Sequence, residues 1–353
     1  MLNFLLAVMI PGVASHIHFS YVESCYNPSL SPNTYHATQV LSVTACGILC
    51  ARDDGCLSFS VKPEGGDVTC YLNADRRRED NGCGSQSYRH YNGYDSRCHY
   101  EGFFLNDTYG CRCFHGYIGK WCDRLMQDCS EGHTTDHYKG QRDVFYIHPN
   151  SSSVKYRVFC TMDYKGKTYF MHRSYDFSYV NFARSWEEYK HGFGDLQENG
   201  NFWAGLEMLH RVTTNRDHKL VVMAWFPENT DVHWRQHFYN DFKIDGEANL
   251  YKFSYTSSTP NNWDVGDREL MDGLGSLIGI PFSTYDNDNS PDPVNCPNIS
   301  ESGWWFKLCH KYNPTGQPRP LSVVTQTSDP TSLSWPHQEN KAPVTMTMYI
   351  EID

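Results

Sequence analysis

The sequence predicts a disulfide-rich α+β chain of several domains, and three observations carry that prediction. Fourteen of its 353 residues are cysteine, an even number at a density typical of exported modules that staple small cores with disulfides. Those cysteines are unevenly spread: ten lie between Cys25 and Cys122, and four follow as Cys129, Cys160, Cys296 and Cys309. The last stretch of about 225 residues is long enough for one large core, whereas the first third depends on bridges. Helical spacing and strand alternation both occur, without a Gly-X-Y run, heptad seam or internal repeat.

The amino-terminal MLNFLLAVMIPGVAS (1–15) has an apolar stretch from Phe4 to Ile10 and ends in the small residues Val13, Ala14 and Ser15. It is expected to be a secretory signal removed after Ser15, although no lysine or arginine precedes the apolar stretch; a buried N-terminal strand is the alternative. No later run approaches the roughly 18 apolar residues of a membrane span, the longest candidate being LVVMAWF at 220–226. The expected product is secreted and extracellular. Sequons at Asn106, Asn150 and Asn298 suit that route. A net charge of -11 without a basic block argues against nucleic acid, whose binding needs clustered lysine and arginine.

Cys46 and Cys50, four apart, share one face of a helix predicted over 42–51 with Ser42 as its cap. A reversal at Arg52-Asp53-Asp54-Gly55 returns the chain to Cys56. Leu57-Ser58-Phe59-Ser60 then alternates as a strand does, and Cys70 follows a turn at Gly65 and Gly66. A helix whose two cysteines clamp neighbouring elements resembles the PAN/apple module, here over 20–97. The resemblance implies bridges Cys46–Cys70 and Cys50–Cys56 with an outer Cys25–Cys83; spacing alone leaves connectivity open. Next, Cys111-x-Cys113-x5-Gly119-x2-Cys122 is similar to the ending of an EGF-like domain, with Gly119 allowing the turn that folds Cys122 back onto Cys113. Only Cys98 remains nearby for Cys111, so 98–123 reads as a truncated EGF-like module. Asp95 alone does not supply the acidic consensus of that module's calcium-binding form.

Beyond it, recognisable residues are spread through the chain in order. They include Tyr146-Ile147-x-Pro149, Cys160-x-Met162-Asp163, Asn181-Phe182-x-Arg184-x-Trp186-x-x-Tyr189-Lys190-x-Gly192-Phe193-Gly194 and Phe202-Trp203-x-Gly205-Leu206-Glu207. Phe282-Ser283-Thr284, Asn295-Cys296, Gly303-Trp304-Trp305 and Cys309 complete the set. On these residues 128–353 is identified as a member of the fibrinogen C-terminal domain family, alongside ficolins and tachylectins. Cys129 with Cys160, and Cys296 with Cys309, would be its bridges. A helix over 185–190 would turn Trp186 and Tyr189 to the core together, and the glycines at 192 and 194 end it.

The resemblance implies a calcium site in FSTYDNDNSPDPVNC (282–296), built from two aspartate carboxylates and two backbone carbonyls. Aligned on Asn295-Cys296, the carboxylate positions fall on Asp288 and on Ser290, a departure, and the carbonyl positions on Asp292 and Val294. Calcium accepts six to eight oxygens of mixed type, so the loss of one carboxylate weakens such a site, and Asp286 or Asp292 could compensate; a metal-free loop is the alternative. An EF-hand fails, since Pro291 and Pro297 occupy the positions of its glycine and glutamate.

Family members carry a ligand pocket between the last two cysteines. His310 matches its lining histidine, and Ser300, Tyr312 and Trp335 are weaker candidates. In fibrinogens an aspartate stands where this chain has Ser300, so the fibrin-type amine ligand is not expected. The resemblance also implies a cis peptide at Leu308–Cys309, a feature that costs about 3 kcal/mol. A glycan on Asn298 would sit at the pocket mouth. No H-E-x-x-H, G-x-S-x-G or phosphate loop occurs, and GLGSLIG at 273–279 fails the glycine spacings, so an enzyme is not expected. Two functions stay open: a calcium-supported lectin for carbohydrate or acetylated surface ligands, or a matrix or receptor-binding protein whose modules contact extracellular proteins. With every cysteine assigned to an internal bridge, a monomer or non-covalent oligomer is expected.

Overall fold

The computed structural model describes residues 5–7, 17–22, 33–51, 53, 56–64, 67–74, 88–95, 98–99, 102–106, 110–135, 137–150, 152–228, 231–260, 272–309, 312–320, 329–336 and 342–352. They belong to two compact units, Met1–Arg124 and Leu125–Asp353. No helix among the described residues is long and apolar enough to cross a membrane.

In the first unit Leu5–Ala7 (β1), Ile17–Val22 (β2), Thr34–Val40 (β3), Ser58–Glu64 (β4), Asp67–Asn73 (β5) and Arg89–Asp95 (β6) form an antiparallel sheet of order β1-β2-β6-β4-β5-β3. Helix Val43–Ala51 (α1) starts where Ser42 Oγ accepts the Ala45 N–H at 3.1 Å. Disulfides Cys46–Cys70 and Cys50–Cys56 tie it to β5 and to the following turn. Phe59 and Val61 alternate toward these sulfurs and share a core with Leu72. Ser58 and Ser60 point to the other face and are buried as well, with Asn73 and His90. Asn73 Nδ2 donates to both hydroxyls at 3.2 and 3.1 Å, and Ser60 Oγ lies 2.8 Å from His90 Nδ1, so this polar face is hydrogen-bonded.

The stretch expected to be a leader contributes β1, whose Leu5, Leu6 and Ala7 pair with Ser20, Phe19 and His18. It is an edge strand, so cleavage after Ser15 would leave β2 paired with β6. Further on, Cys98–Cys111 and Cys113–Cys122 bracket a hairpin of Phe103–Asn106 (β7) and Gly110–Arg112 (β8). Gly119 has φ +95°, and a Cβ there would stand 2.1 Å from Asp123 Oδ1, so only glycine fits. Cys25 and Cys83 lie outside the described residues.

The second unit is built on Arg142–Ile147 (β9), Tyr156–Thr161 (β10), Lys167–Ser174 (β11), Lys219–Glu228 (β12), Asp231–Asn240 (β13), Ser257–Pro260 (β14) and Thr345–Glu351 (β15), an antiparallel path of order β9-β10-β11-β15-β12-β13-β14. The last strand is central: β15 pairs with both β11 and β12 and buries Met346 through Ile350. Among the described residues four α-helices accompany the sheet: Cys129–Thr134 (α2), Trp186–His191 (α3), Leu206–Asn215 (α4) and Cys296–Ser300 (α5). Disulfides Cys129–Cys160 and Cys296–Cys309 close locally.

Helix α3 begins with a capping box, in which Ser185 and Glu188 each accept the other's backbone N–H. Its buried Trp186 and Tyr189 face inward. Gly192 ends it at φ +93°, where a Cβ would stand 2.7 Å from the Ala204 carbonyl. Tyr189, Trp203, Phe282 and Trp305 then form one aromatic cluster; Tyr189–Trp203 centroids lie 5.4 Å apart and Phe282–Trp305 4.9 Å apart, both edge-to-face. These rings hold the loop that follows Phe282.

Candidate functional site

Loop 282–296 is anchored before it reaches its acids. Ser283 and Trp304 exchange N–H···O bonds at 3.0 and 3.1 Å, and Thr284 and Asn287 do so at 3.1 Å. Asn289 folds back, giving its N–H to Ser283 Oγ at 3.0 Å and its Nδ2 to the Phe282 carbonyl at 2.9 Å. The turn aims Asp286 at α3: its Oδ1 accepts the Trp186 N–H at 2.9 Å and the Thr284 hydroxyl at 2.7 Å. That carboxylate complements the helix N-terminus, so one of its oxygens is already engaged.

Asp288 Oδ1 accepts the Ser290 N–H at 3.0 Å, and Asp292 Oδ1 the Val294 N–H at 3.4 Å. These local Asx turns leave the two Oδ2 atoms without hydrogen bonds among the described residues. Between them in sequence, Ser290 Oγ is buried with no partner, a state that costs about 1–3 kcal/mol unless an incoming group satisfies it. The Asp292 carboxylate lies within 4.8 Å of the Cys296 and Cys309 sulfurs. Those sulfurs are joined in a disulfide and cannot ligate, and neither Asp286 nor Asp288 belongs to that group. The Val294 carbonyl oxygen, at the loop's far end, stands 3.8 Å from Cys309 Sγ. Asn295 Oδ1 then caps α5 by accepting the Asn298 N–H at 2.8 Å.

Two of the expected pocket residues are buried. Ser300 is 0% exposed and Trp335 2% exposed; Gly273 lies so flat on the Trp335 ring that a Cβ would stand 2.5 Å from Cζ2. His310 lies outside the described residues. The Leu308–Cys309 peptide is trans, which corrects the cis expectation: trans is the form a non-proline bond takes by about 3 kcal/mol. Asn313 is a buried strut, donating Nδ2 to the Ser300 and Pro330 carbonyls at 2.9 Å each and accepting the Ser302 hydroxyl at 2.7 Å. Asn150 and Asn298 are exposed, as glycosylation would require. Asn106 ends β7.

Tyr312 does line a cavity, one that residue spacing alone did not reveal. Of about 150 Å³, it lies between Ser276–Leu277 and the segment from Trp304 to Leu308. Asp272 fixes the first wall: its Oδ1 accepts the Leu274 and Gly275 N–H groups at 2.9 Å each and the Tyr239 hydroxyl at 3.1 Å. Burial pushes this carboxyl up, but the Gly275 and Leu274 N–H groups, Tyr239 and the nearby His237 outweigh it and hold it below its ordinary value. Asp272→Ala should therefore loosen this wall specifically. Amide exchange at 274–277 is expected to rise about tenfold while global stability falls by about 1–2 kcal/mol; unchanged exchange there would remove Asp272 from this role.

Residues 125–351 match the family model of the C-terminal globular domain of fibrinogen beta and gamma chains. The chain is similar to fibrinogen-like protein 1 of Bos taurus, 34% identical over 198 residues, covering 55% of this chain and 61% of that protein. The Homo sapiens protein of that name is 32% identical over the same shares. This chain thus spans less than two thirds of those relatives' length. Among solved structures, the fibrinogen-like globe domain of human ANGPTL2 gives a TM-score of 0.55 at 23% identity, over 64% of this chain and 98% of that one, a likeness of fold. A lamprey fibrin D-dimer complexed with the peptide Gly-His-Arg-Pro-amide gives 0.52 at 26% identity, over 64% and 73%.

Proposed function

The chain belongs to the fibrinogen C-terminal domain family through residues 125–351, and on that premise we propose that it is a secreted recognition protein rather than an enzyme. Its fibrinogen-like domain binds carbohydrate or acetylated ligands on microbial or cell surfaces, with calcium supporting the loop. The observation that carries a binding role is the buried, unpartnered Ser290 hydroxyl, flanked by Asp288 and Asp292 with open oxygens. Those three side chains with the Asp292 and Val294 carbonyls are a donor set that suits a hard cation. When bound, calcium supplies positive charge that gathers these oxygens and stiffens the segment leading to Val294 and Cys309.

In the same reading the first unit is a PAN/apple module followed by a truncated EGF-like module, providing a second contact. The six bridges described all lie within the chain, which favours a monomer or non-covalent oligomer. A protein-contact role is the second reading. It is favoured by the exposed apolar side chains of Ile278, Tyr285, Val294 and Leu308 in and beside the loop and cavity, since clustered exposed apolar residues mark contact surfaces.

A glycan array probed with the secreted chain in calcium and again in EDTA separates these outcomes. Binding to acetylated sugars that EDTA weakens at least tenfold is expected, because removing the cation takes away the charge that gathers the loop's oxygens. Binding indifferent to EDTA keeps the lectin and discards the metal. An empty array in both buffers leaves the protein-contact reading.

A further inference from the structure

The cavity beside the loop has a chemistry of its own. Its walls are Leu277, Trp304, Trp305, Phe306 and Leu308, and its polar atoms come from Ser276, Lys307 and Tyr312. An apolar cavity of about 150 Å³ is large enough for a six-membered ring or a branched aliphatic group. The apolar surface continues outward through Leu308, 57% exposed, and Ile278, 46% exposed. Among the described residues its lining includes no acid and a single charge, Lys307. The Lys307 Nζ donates to the Ser276 carbonyl at 3.2 Å, and an ammonium has three donors, so it can still meet an incoming oxygen. The indole N–H of Trp304, a wall residue 1% exposed, has no acceptor among the described residues. The site is rich in donors and would repel a cation.

We infer that this cavity is a docking site for a protein partner and receives one aromatic or branched aliphatic side chain whose neighbour in sequence is acidic. A pyranose fits less well, because each of its hydroxyls needs a partner when desolvated and these walls are mostly carbon. A protruding side chain buried in an apolar socket, with a charge satisfied at the rim, is the arrangement that anchors protein contacts. The acid follows from charge complementarity with Lys307. This inference rests on the domain being a recognition module, but neither on calcium nor on carbohydrate.

The test titrates the full secreted chain with two peptides, Ser-Gly-Phe-Asp-Gly-Ser and Ser-Gly-Phe-Lys-Gly-Ser, and follows tryptophan fluorescence. The aspartate peptide is expected to bind about fivefold more tightly at low salt, as one rim ion pair allows, with the gap closing near 1 M salt and unaffected by EDTA. K307E, at an exposed position, should reverse the order of the two peptides. S276W, also at an exposed position, should fill the mouth and weaken both; its folding is checked by circular dichroism, and K307E decides the matter if S276W misfolds. Failure of both peptides to bind, equal binding, or an order that K307E leaves unchanged would overturn the inference. An empty glycan array together with the aspartate preference removes the carbohydrate reading alone. Sugar binding with no peptide preference removes this site alone.

Discussion

Asp128→Asn is expected to destabilise the second unit by about 1–3 kcal/mol at neutral pH, the cost of leaving buried hydrogen-bonding groups without their charged partner. Asp128 is 1% exposed. Its Oδ1 caps α2 by accepting the Glu131 N–H at 2.9 Å. Its Oδ2 lies 3.1 Å from Arg216 Nη1 and 3.4 Å from the Nε2 of His218, itself buried. His218 Nδ1 is 2.8 Å from the Arg216 carbonyl. Burial pushes the Asp128 carboxyl up, but the contact and charge of His218, the Glu131 N–H and Arg216 outweigh it and hold the carboxyl below its ordinary value. A carboxyl depressed in the folded state contributes stability that is fully present above its unfolded value, about 3.9, and is lost as pH falls through the folded one. Wild-type denaturant midpoints should therefore drop below about pH 4, whereas the Asn variant starts lower and is flatter across that window. Equal midpoints at pH 7 would show the cluster to be neutral.

That cluster also marks where legibility in the sequence stops. Short-range devices were visible: the Ser42 cap, the inward pair Trp186 and Tyr189, and the turn at Gly119 are each fixed by residues a few positions apart. Their physics is local, so spacing suffices. Asp128 meets Arg216 and His218 across 88 and 90 positions, which no periodicity signals. The cavity likewise forms because Ser283 pairs with Trp304, bringing Leu277 toward the segment after Trp304. Its residues read as ordinary core aromatics until that pairing is known. Ser300 and Trp335, expected at a ligand pocket, are buried by packing that spacing does not signal. Asp286, weighed as a spare metal ligand, serves the N-terminus of α3, a partner 100 positions away.

Arg173→Met should cost about 3 kcal/mol, although it removes a buried charge. Arg173 is 2% exposed. Its Nε and Nη2 donate to the Gly316 carbonyl at 3.0 and 2.8 Å, and its Nη1 to the Val180 carbonyl at 3.1 Å. The guanidinium also lies over the Phe182 ring, 3.9 Å from its centroid. Burial pushes the group down to about 10, so it stays protonated at neutral pH without a carboxylate partner among the described residues. Two effects oppose each other on substitution. Methionine relieves a desolvation penalty of several kcal/mol. It also forfeits three charge-assisted hydrogen bonds, each worth about 1.5–3 kcal/mol, and strands the carbonyls they satisfied. The loss is larger because one planar group joins three segments: strand β11, the 180–182 stretch and the turn ending at Gly316. Arg173→Lys should recover less than half of it, since a compact ammonium cannot span both carbonyls while stacking on Phe182. Chemical denaturation of the three chains decides the sign. A methionine variant as stable as wild type would mean that desolvation outweighs the hydrogen bonds, and that the arginine is kept for geometry alone.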